Sequence, residues 1–236
     1  MKTLVLVGAG EFTEAMVDVD KHLLSLTFKK TPMVAIVPTA AGLEEDFYKW
    51  IDKGVRHFEK LGAVAKGIPA RKREDMDDFG FIETIKKADL VYFSGGHPGY
   101  LHKSLVDTRL WEVVLERYQD GAILVGCSAG AMVMGDLVLS NAPELLFGDE
   151  EASFDKALGL IPGVIIPHFD QISEQAIGKI MSKLPSEARN SFLGLDEDTA
   201  IIVKNNKNAE VYGKRSVTVK KRKRNIYKKG QKFSLD

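Results

Sequence analysis

Between Ala122 and Gly135 the chain reads AILVGCSAGAMVMG, an apolar run that breaks at Gly126-Cys127-Ser128-Ala129-Gly130 and then resumes with small residues. Few arrangements accommodate it. Ile123, Leu124 and Val125 form a buried strand, the glycines allow a sharp turn, and the residues to Met134 continue as a helix. The pattern G-x-S-x-G in this setting lifts the Ser128 hydroxyl to the C-terminal edge of a sheet. The first free N–H groups of the helix, beginning with Ala129, point at the same place, where an oxyanion can be held. Cys127 falls one position early and reads as a small core residue.

The rest of the chain supplies more strands and helices of the same kind. Leu4 to Val7 is an apolar strand ending in Gly8-Ala9-Gly10, with a helix expected from Glu11 that carries Met16, Val19, Leu23 and Leu26. A third glycine would have to stand at Thr13 to make a dinucleotide loop, so that reading is rejected. Met33 to Pro38 is a second strand. It is followed by an amphipathic helix over 43–61 and a third strand over 64–68, with the charged run Arg71 to Asp78 as a loop. Leu90 to Ser94 is a fourth strand, ending in Gly95-Gly96-His97-Pro98-Gly99, and Arg109 to Gln119 is helical.

Strands alternating with helices predict an α/β fold with a mainly parallel sheet covered on both faces. Such sheets carry their sites beyond the carboxyl ends of the strands, so Gly95-Gly96 and Ser128 are expected to share one crevice. Gly95 and Gly96 there can offer unobstructed N–H groups, and His97 can line the pocket.

A serine needs a base, and the base needs a third group to orient it. Of the five histidines, His22, His57 and His102 lie in helical or surface-like patterns. His168 follows the buried run Val164-Ile165-Ile166 and so stands at another strand's exit, which makes it the candidate base. For the acid, Asp170, Glu197 and Glu144 all remain open on spacing alone.

At 236 residues with 33 basic and 33 acidic side chains, one domain over 1–236 is expected, with no net field to attract nucleic acid or an anionic membrane. A single cysteine excludes an internal disulfide, and no clustered ligand spacing suggests a metal. The run after Met1-Lys2 is too short for a signal-peptide core, and no stretch has the length of a membrane span, so a cytoplasmic location is expected. Residues 204–236 hold twelve Lys/Arg against two acids, leaving 21 against 31 in the rest. Alternation in Ala209–Tyr212 and Ser216–Lys220 across Gly213-Lys214-Arg215 predicts a C-terminal β-hairpin extension at the sheet edge. The KKRKR run at 220–224 is read as protection of that edge, with nucleic-acid binding as the rival.

Four segments occur in order: FSGGHPGYL, GCSAGA, LGLIPGVIIPHFDQ and GLDEDTAIIV. With them the chain resembles peptidase family S51, which contains dipeptidase E and cyanophycinase, closely over 90–203 and loosely before. The resemblance implies a class I glutamine amidotransferase-like fold, a flavodoxin-like three-layer α/β/α sandwich, with serine replacing the amidotransferase cysteine. It implies Ser128 as nucleophile, His168 as base and Gly96 with Ala129 as oxyanion donors, with no metal or organic cofactor. The acid falls on Glu197 by the D-E-x-T-A motif of the cyanophycinase branch. In the dipeptidase E branch it comes from the loop after the nucleophile helix, nearest to Glu144; Glu197 is preferred. Cyanophycinase-like chains carry Asp-Gln before the histidine and arginines after it, whereas this chain has Ile166-Pro167 and Gln171-Ile172-Ser173-Glu174, which points away from a charged polymer.

The expected function is a serine exopeptidase or dipeptidase acting on short peptides, with homodimer formation left open. The alternatives are an amidase or amidotransferase-like hydrolase, for which Cys127 would be the tempting nucleophile, and a non-catalytic binding module of the same fold.

Overall fold

The computed structural model describes residues 2–147, 151–185, 191–221 and 223–235. The first half runs β1 (Thr3–Val7), α1 (Val17–Ser25), β2 (Met33–Val37), α2 (Phe47–Lys60), β3 (Val64–Gly67), α3 (Phe79–Lys87), β4 (Leu90–Phe93), α4 (Pro98–Leu105), α5 (Arg109–Gln119) and β5 (Ile123–Cys127). Then come α6 (Ala129–Met132), β6 (Leu137–Leu139), α7 (Ala142–Phe147), β7 (Phe154–Lys156), β8 (Val164–Ile166) and α8 (Glu174–Lys183). The C-terminal part is all strand: β9 (Phe192–Leu195), β10 (Thr199–Lys204), β11 (Asn208–Gly213), β12 (Ser216–Lys220), β13 (Arg224–Lys228) and β14 (Lys232–Ser234).

Strand alternation explains how the first sheet is covered. In β1, Leu4 and Leu6 join one buried cluster while Val5 and Val7 join another; Val91 and Phe93 part from Leu90 and Tyr92 in β4 in the same way. Ile82, Leu101 and Trp111 of α3, α4 and α5 close the first face, and Leu23 and Phe58 of α1 and α2 close the second. Local caps set where several helices begin. Asp78, Thr108 and Ser173 accept the backbone N–H groups of Phe81, Trp111 and Ala176 at 3.0, 3.4 and 3.2 Å.

The expectation of a mainly parallel sheet does not hold. The eight-stranded sheet has the order β14-β11-β10-β1-β5-β4-β2-β3, in which β1, β5, β4, β2 and β3 are parallel and β10, β11 and β14 antiparallel. A second, six-stranded sheet has the order β13-β12-β9-β8-β6-β7, parallel only through β6, β8 and β9. The physical reason is connection length: the late strands follow one another through short turns, and a parallel neighbour needs a crossover of a dozen or more residues.

The predicted hairpin across Gly213-Lys214-Arg215 is also corrected. β11 pairs with β10 and β14 in the first sheet, while β12 pairs with β9 and β13 in the second, so the chain changes sheets at that turn. The true hairpin comes one strand later, β12–β13, and its turn carries Lys221 and Lys223 of the basic run, with Lys220 and Arg224 at the strand ends; Arg222 lies outside the described residues. β13 is the edge of its sheet, the place where lysine and arginine discourage further pairing.

The other sheet change, between β9 and β10, lies beside the first. Asp196 Oδ2 accepts from Ser216 Oγ (2.6 Å) and Ser216 N–H (3.1 Å), and Thr199 Oγ1 accepts from Arg215 N–H (3.0 Å). Asp196 and Thr199 are buried. Asp196→Ala strands two donors at a buried crossing, which costs about 1–3 kcal/mol. Urea denaturation should show a lower midpoint with an unchanged slope.

Candidate active site

The turn after β5 is as tight as its glycines suggest. A Cβ on Gly126 would lie 2.3 Å from the Gly130 carbonyl oxygen, and one on Gly130 would lie 2.4 Å from that of Phe93. Backbone packs on backbone here, so neither position admits a side chain. Ser128 at the tip has φ 51° and ψ −114°, a conformation that non-glycine residues seldom adopt and that the surrounding packing must enforce. Its N–H donates to Val7 O at 3.0 Å, which ties the turn to β1.

His168 sits just past β8, also at positive φ (49°). The two strained residues face each other: Ser128 Oγ donates to His168 Nε2 at 3.0 Å, and His168 Nδ1 donates to Glu197 Oε1 at 3.0 Å. Hydroxyl, imidazole and carboxylate therefore form one chain, with His168 in the tautomer that leaves Nε2 free to take a proton.

The three candidate acids separate cleanly. Glu197 reaches His168. Glu144 reaches His97 Nε2 instead, at 3.0 Å. Asp170 accepts the Glu197 N–H at 2.8 Å and pairs with Arg215, so it holds the Glu197 loop rather than the imidazole. Burial raises the Asp170 pKa, but the Glu197 N–H, the Gln171 amide and Arg215 outweigh it and bring the group below its ordinary 3.8.

The glycine loop is divided in function. Gly95 N–H donates to Glu11 Oε1 at 2.8 Å and is not free, contrary to the expectation for this pair. The N–H groups of Gly96 and Ala129 have no intramolecular partner among the described residues. Gly96 has φ 138°, and a Cβ there would lie 2.4 Å from the Ala40 backbone. Gly95 instead provides closeness, since a Cβ on it would lie 3.2 Å from Ser128 Cβ. His97 does not line the pocket as expected. It caps α4, with Nδ1 accepting from Tyr100 N–H at 3.1 Å, while its neighbours Gly96 and Pro98 face the cavity.

Glu11 was not recognised from sequence. It lies in a turn where a helix was expected, and its carboxylate bridges Gly95 N–H and Cys127 Sγ (3.1 Å) behind the nucleophile turn. No local pattern marks it, because both partners are more than eighty positions away. Cys127 is fully buried on the α1–α2 face, and desolvation, then the Glu11 charge, pushes its thiol well above the ordinary value. The other histidines are also accounted for: His57 pairs with buried Asp20 at 2.7 Å, His22 stacks on Tyr212, and His102 is buried.

Ser128, His168 and Glu197 line a cavity of about 440 Å³. Around the reactive groups its walls are apolar, from Met132 on α6, Leu139 on β6, Ile166 on β8 and Ile180 on α8. A hydroxyl with an adjacent base, an oriented imidazole and two free N–H groups is the equipment for acyl transfer.

Comparison with known proteins accords with that chemistry. Residues 4–211 match the family described as Peptidase family S51. A cyanophycinase from Geminocystis herdmanii (strain PCC 6308) is 31% identical over 194 residues, spanning 79% of this chain and 68% of that one. The cyanophycinase from Trichormus variabilis (strain ATCC 29413 / PCC 7937) is also 31% identical, over 70% of this chain and 56% of its own length, so this chain spans little more than half of that relative. Among solved structures, a peptidase from an acI-B1 Actinobacterium superposes with a TM-score of 0.85 at 33% identity, covering 99% of this chain and 97% of that one. A putative peptidase E protein from Listeria monocytogenes EGD-e shares the fold, with a TM-score of 0.64 at 22% identity over 91% and 98% of the two chains.

Because its neutral thiol is buried, Cys127 should resist iodoacetamide at neutral pH in the folded protein and react on unfolding in urea, as read by mass spectrometry. A depressed carboxyl pKa contributes stability that is present above the unfolded value and lost as pH falls through the folded one. Asp170→Asn should therefore flatten the decline in thermal midpoint below about pH 4, the unperturbed range of aspartate.

Proposed function

The chain belongs to peptidase family S51 and is a serine peptidase, and from that premise we propose that it is an exopeptidase or dipeptidase cleaving short peptides through a Ser128–His168–Glu197 triad. The observation that carries the residue assignment is the continuous hydrogen-bonded chain from Ser128 Oγ through His168 to Glu197. The preference for short peptides draws support from the size of the cavity, which accommodates a residue or two and not a folded segment.

In this reading His168 Nε2 takes the hydroxyl proton as Ser128 Oγ bonds to the scissile carbonyl carbon. Glu197 stabilises the resulting imidazolium and keeps its ring oriented. The carbonyl oxygen, now an oxyanion, is received by the N–H groups of Gly96 and Ala129, which are fixed in place before the reaction begins. Collapse breaks the C–N bond, the proton on His168 passes to the departing amine, and an acyl-enzyme remains. Water then repeats the sequence with His168 again as base and frees Ser128. The strained backbone at Ser128 and His168 supports this assignment, because such conformations persist where packing holds a reactive group in position.

We also read the fold as class I glutamine amidotransferase-like, supported by the parallel β3-β2-β4-β5-β1 stretch with the nucleophile turn after β5. The reading includes a cytoplasmic location.

Ser128→Ala should lower kcat by at least about a thousandfold while the circular dichroism spectrum and melting midpoint stay unchanged. Glu197→Gln should lower kcat by roughly a hundredfold or more with little change in KM, since it disturbs the base and not substrate contacts. Both are read by steady-state hydrolysis of a dipeptide library; undiminished turnover by Ser128→Ala would remove the assignment.

A further inference from the structure

We propose that the cavity beside Ser128 is an acyl-side subsite for a large apolar side chain, so that the peptidase prefers leucine-, methionine- or phenylalanine-like residues on the carbonyl side of the scissile bond. The inference rests on the serine-peptidase reading and deepens it.

Six residues carry it. Met132, Leu139, Pro143, Ile166, Ile172 and Ile180 form the wall, contributed by five separate elements and the segment that leads into α8. Met132, Leu139, Ile166 and Ile180 are buried, so the wall is made by packed side chains and not by loop tips that solvent can rearrange. Among the described residues no lysine or arginine lines the cavity, and its one acidic group is Glu197, the partner of His168.

A substrate carboxylate would therefore leave water for a site with no counter-charge and would face Glu197, a like charge. The nearby guanidinium groups are already engaged: Arg215 pairs with Asp170, and Arg224 pairs with Glu174 while lying over the Phe169 ring. A basic side chain would find Glu197 as its only counter-charge in the cavity, beside the neutral Gln171 amide, and neutralising Glu197 would weaken its hold on His168. An apolar side chain meets none of these penalties and gains the full burial.

The wall belongs to the acyl side because it is continuous with the groups that hold the acyl carbon. Met132 lies one helical turn beyond Ser128 on the same short helix, and Pro98 follows the Gly96 oxyanion donor by two positions. The side chain attached next to the carbonyl that sits between Ser128 Oγ and those N–H groups enters the space these residues enclose.

Diphenyl aminoalkylphosphonates with leucine, phenylalanine, aspartate and arginine side chains provide the test. Ser128 Oγ attacks phosphorus and expels phenoxide, so the rate of covalent labelling reads the acyl-side subsite without a leaving peptide. The leucine and phenylalanine probes should label Ser128 at least tenfold faster than the aspartate or arginine probes, with the same order in kcat/KM for the corresponding aminoacyl p-nitroanilides. Ile172→Arg, at a partly exposed position on the rim, should reduce the leucine-over-aspartate ratio at least tenfold, whereas Ile172→Leu should leave it near the parent value. Faster labelling by the aspartate or arginine probe overturns the subsite. So does labelling by a small alkyl fluorophosphonate with none by the apolar probes. If even that small reagent fails to label Ser128 in folded protein, the serine-peptidase reading falls first and the subsite with it.

Discussion

Two sheets share one core, and the rest of the molecule depends on that. Ile165 and Leu193 of the second sheet lie in the same buried cluster as Val91 and Leu124 of the first, together with Met132 and Met134 from the segment between them. Apolar surface on both sheets is removed from water only if the two close on each other, so the ends of β5 and β8 are drawn to one rim. The 3.0 Å bond between Ser128 and His168 follows from that closure, across forty positions of sequence.

The carboxylate arrives differently. It lies in neither sheet but in the three-residue link where the chain leaves β9 for β10. That link is held from all sides: Asp196 binds Ser216, Asp198 N–H donates to Ala9 O, and the Glu197 N–H itself donates to Asp170. A glutamate on an untethered loop would lose conformational freedom each time it met His168; here the backbone around it is already ordered, so little remains to be lost. Asp170 thus positions Glu197, although in sequence it looks like the nearer acid.

Substrate choice and catalytic equipment occupy the same cavity but draw on different residues. The reactive groups come from strand ends and their turns, whereas the apolar wall comes from α6, α8, β6 and the segments around them. Relatives sharing the turn and the histidine can therefore differ in the wall. Backbone packing fixes the turn itself, at Gly126 and Gly130. Cys127, one position before the nucleophile, shows how narrow the constraint is. Strand alternation turns its side chain to the α1–α2 face, where it is buried against Glu11.

Ser128 and the strand-turn-helix around it were legible in the sequence because the features that mark them are local: an apolar run, two glycines and a short helix within fifteen positions. The same holds for the first strands, for β8 as the carrier of His168, and for Cys127 as a core residue. The acid was reachable through the D-E-x-T-A resemblance but not through spacing, since Asp170, Glu144 and Glu197 are equivalent until the loops are placed. Only the tertiary structure decided that Glu11 engages Gly95, that His97 caps a helix, that half the strand pairings run antiparallel, and that the chain changes sheets at Gly213-Lys214-Arg215. The Glu11 contact and the change of sheet turn on partners far along the chain, selected by which surfaces can be buried together, while the His97 cap and antiparallel pairs such as β10–β11 and β12–β13 follow from short local connections whose course backbone periodicity does not record.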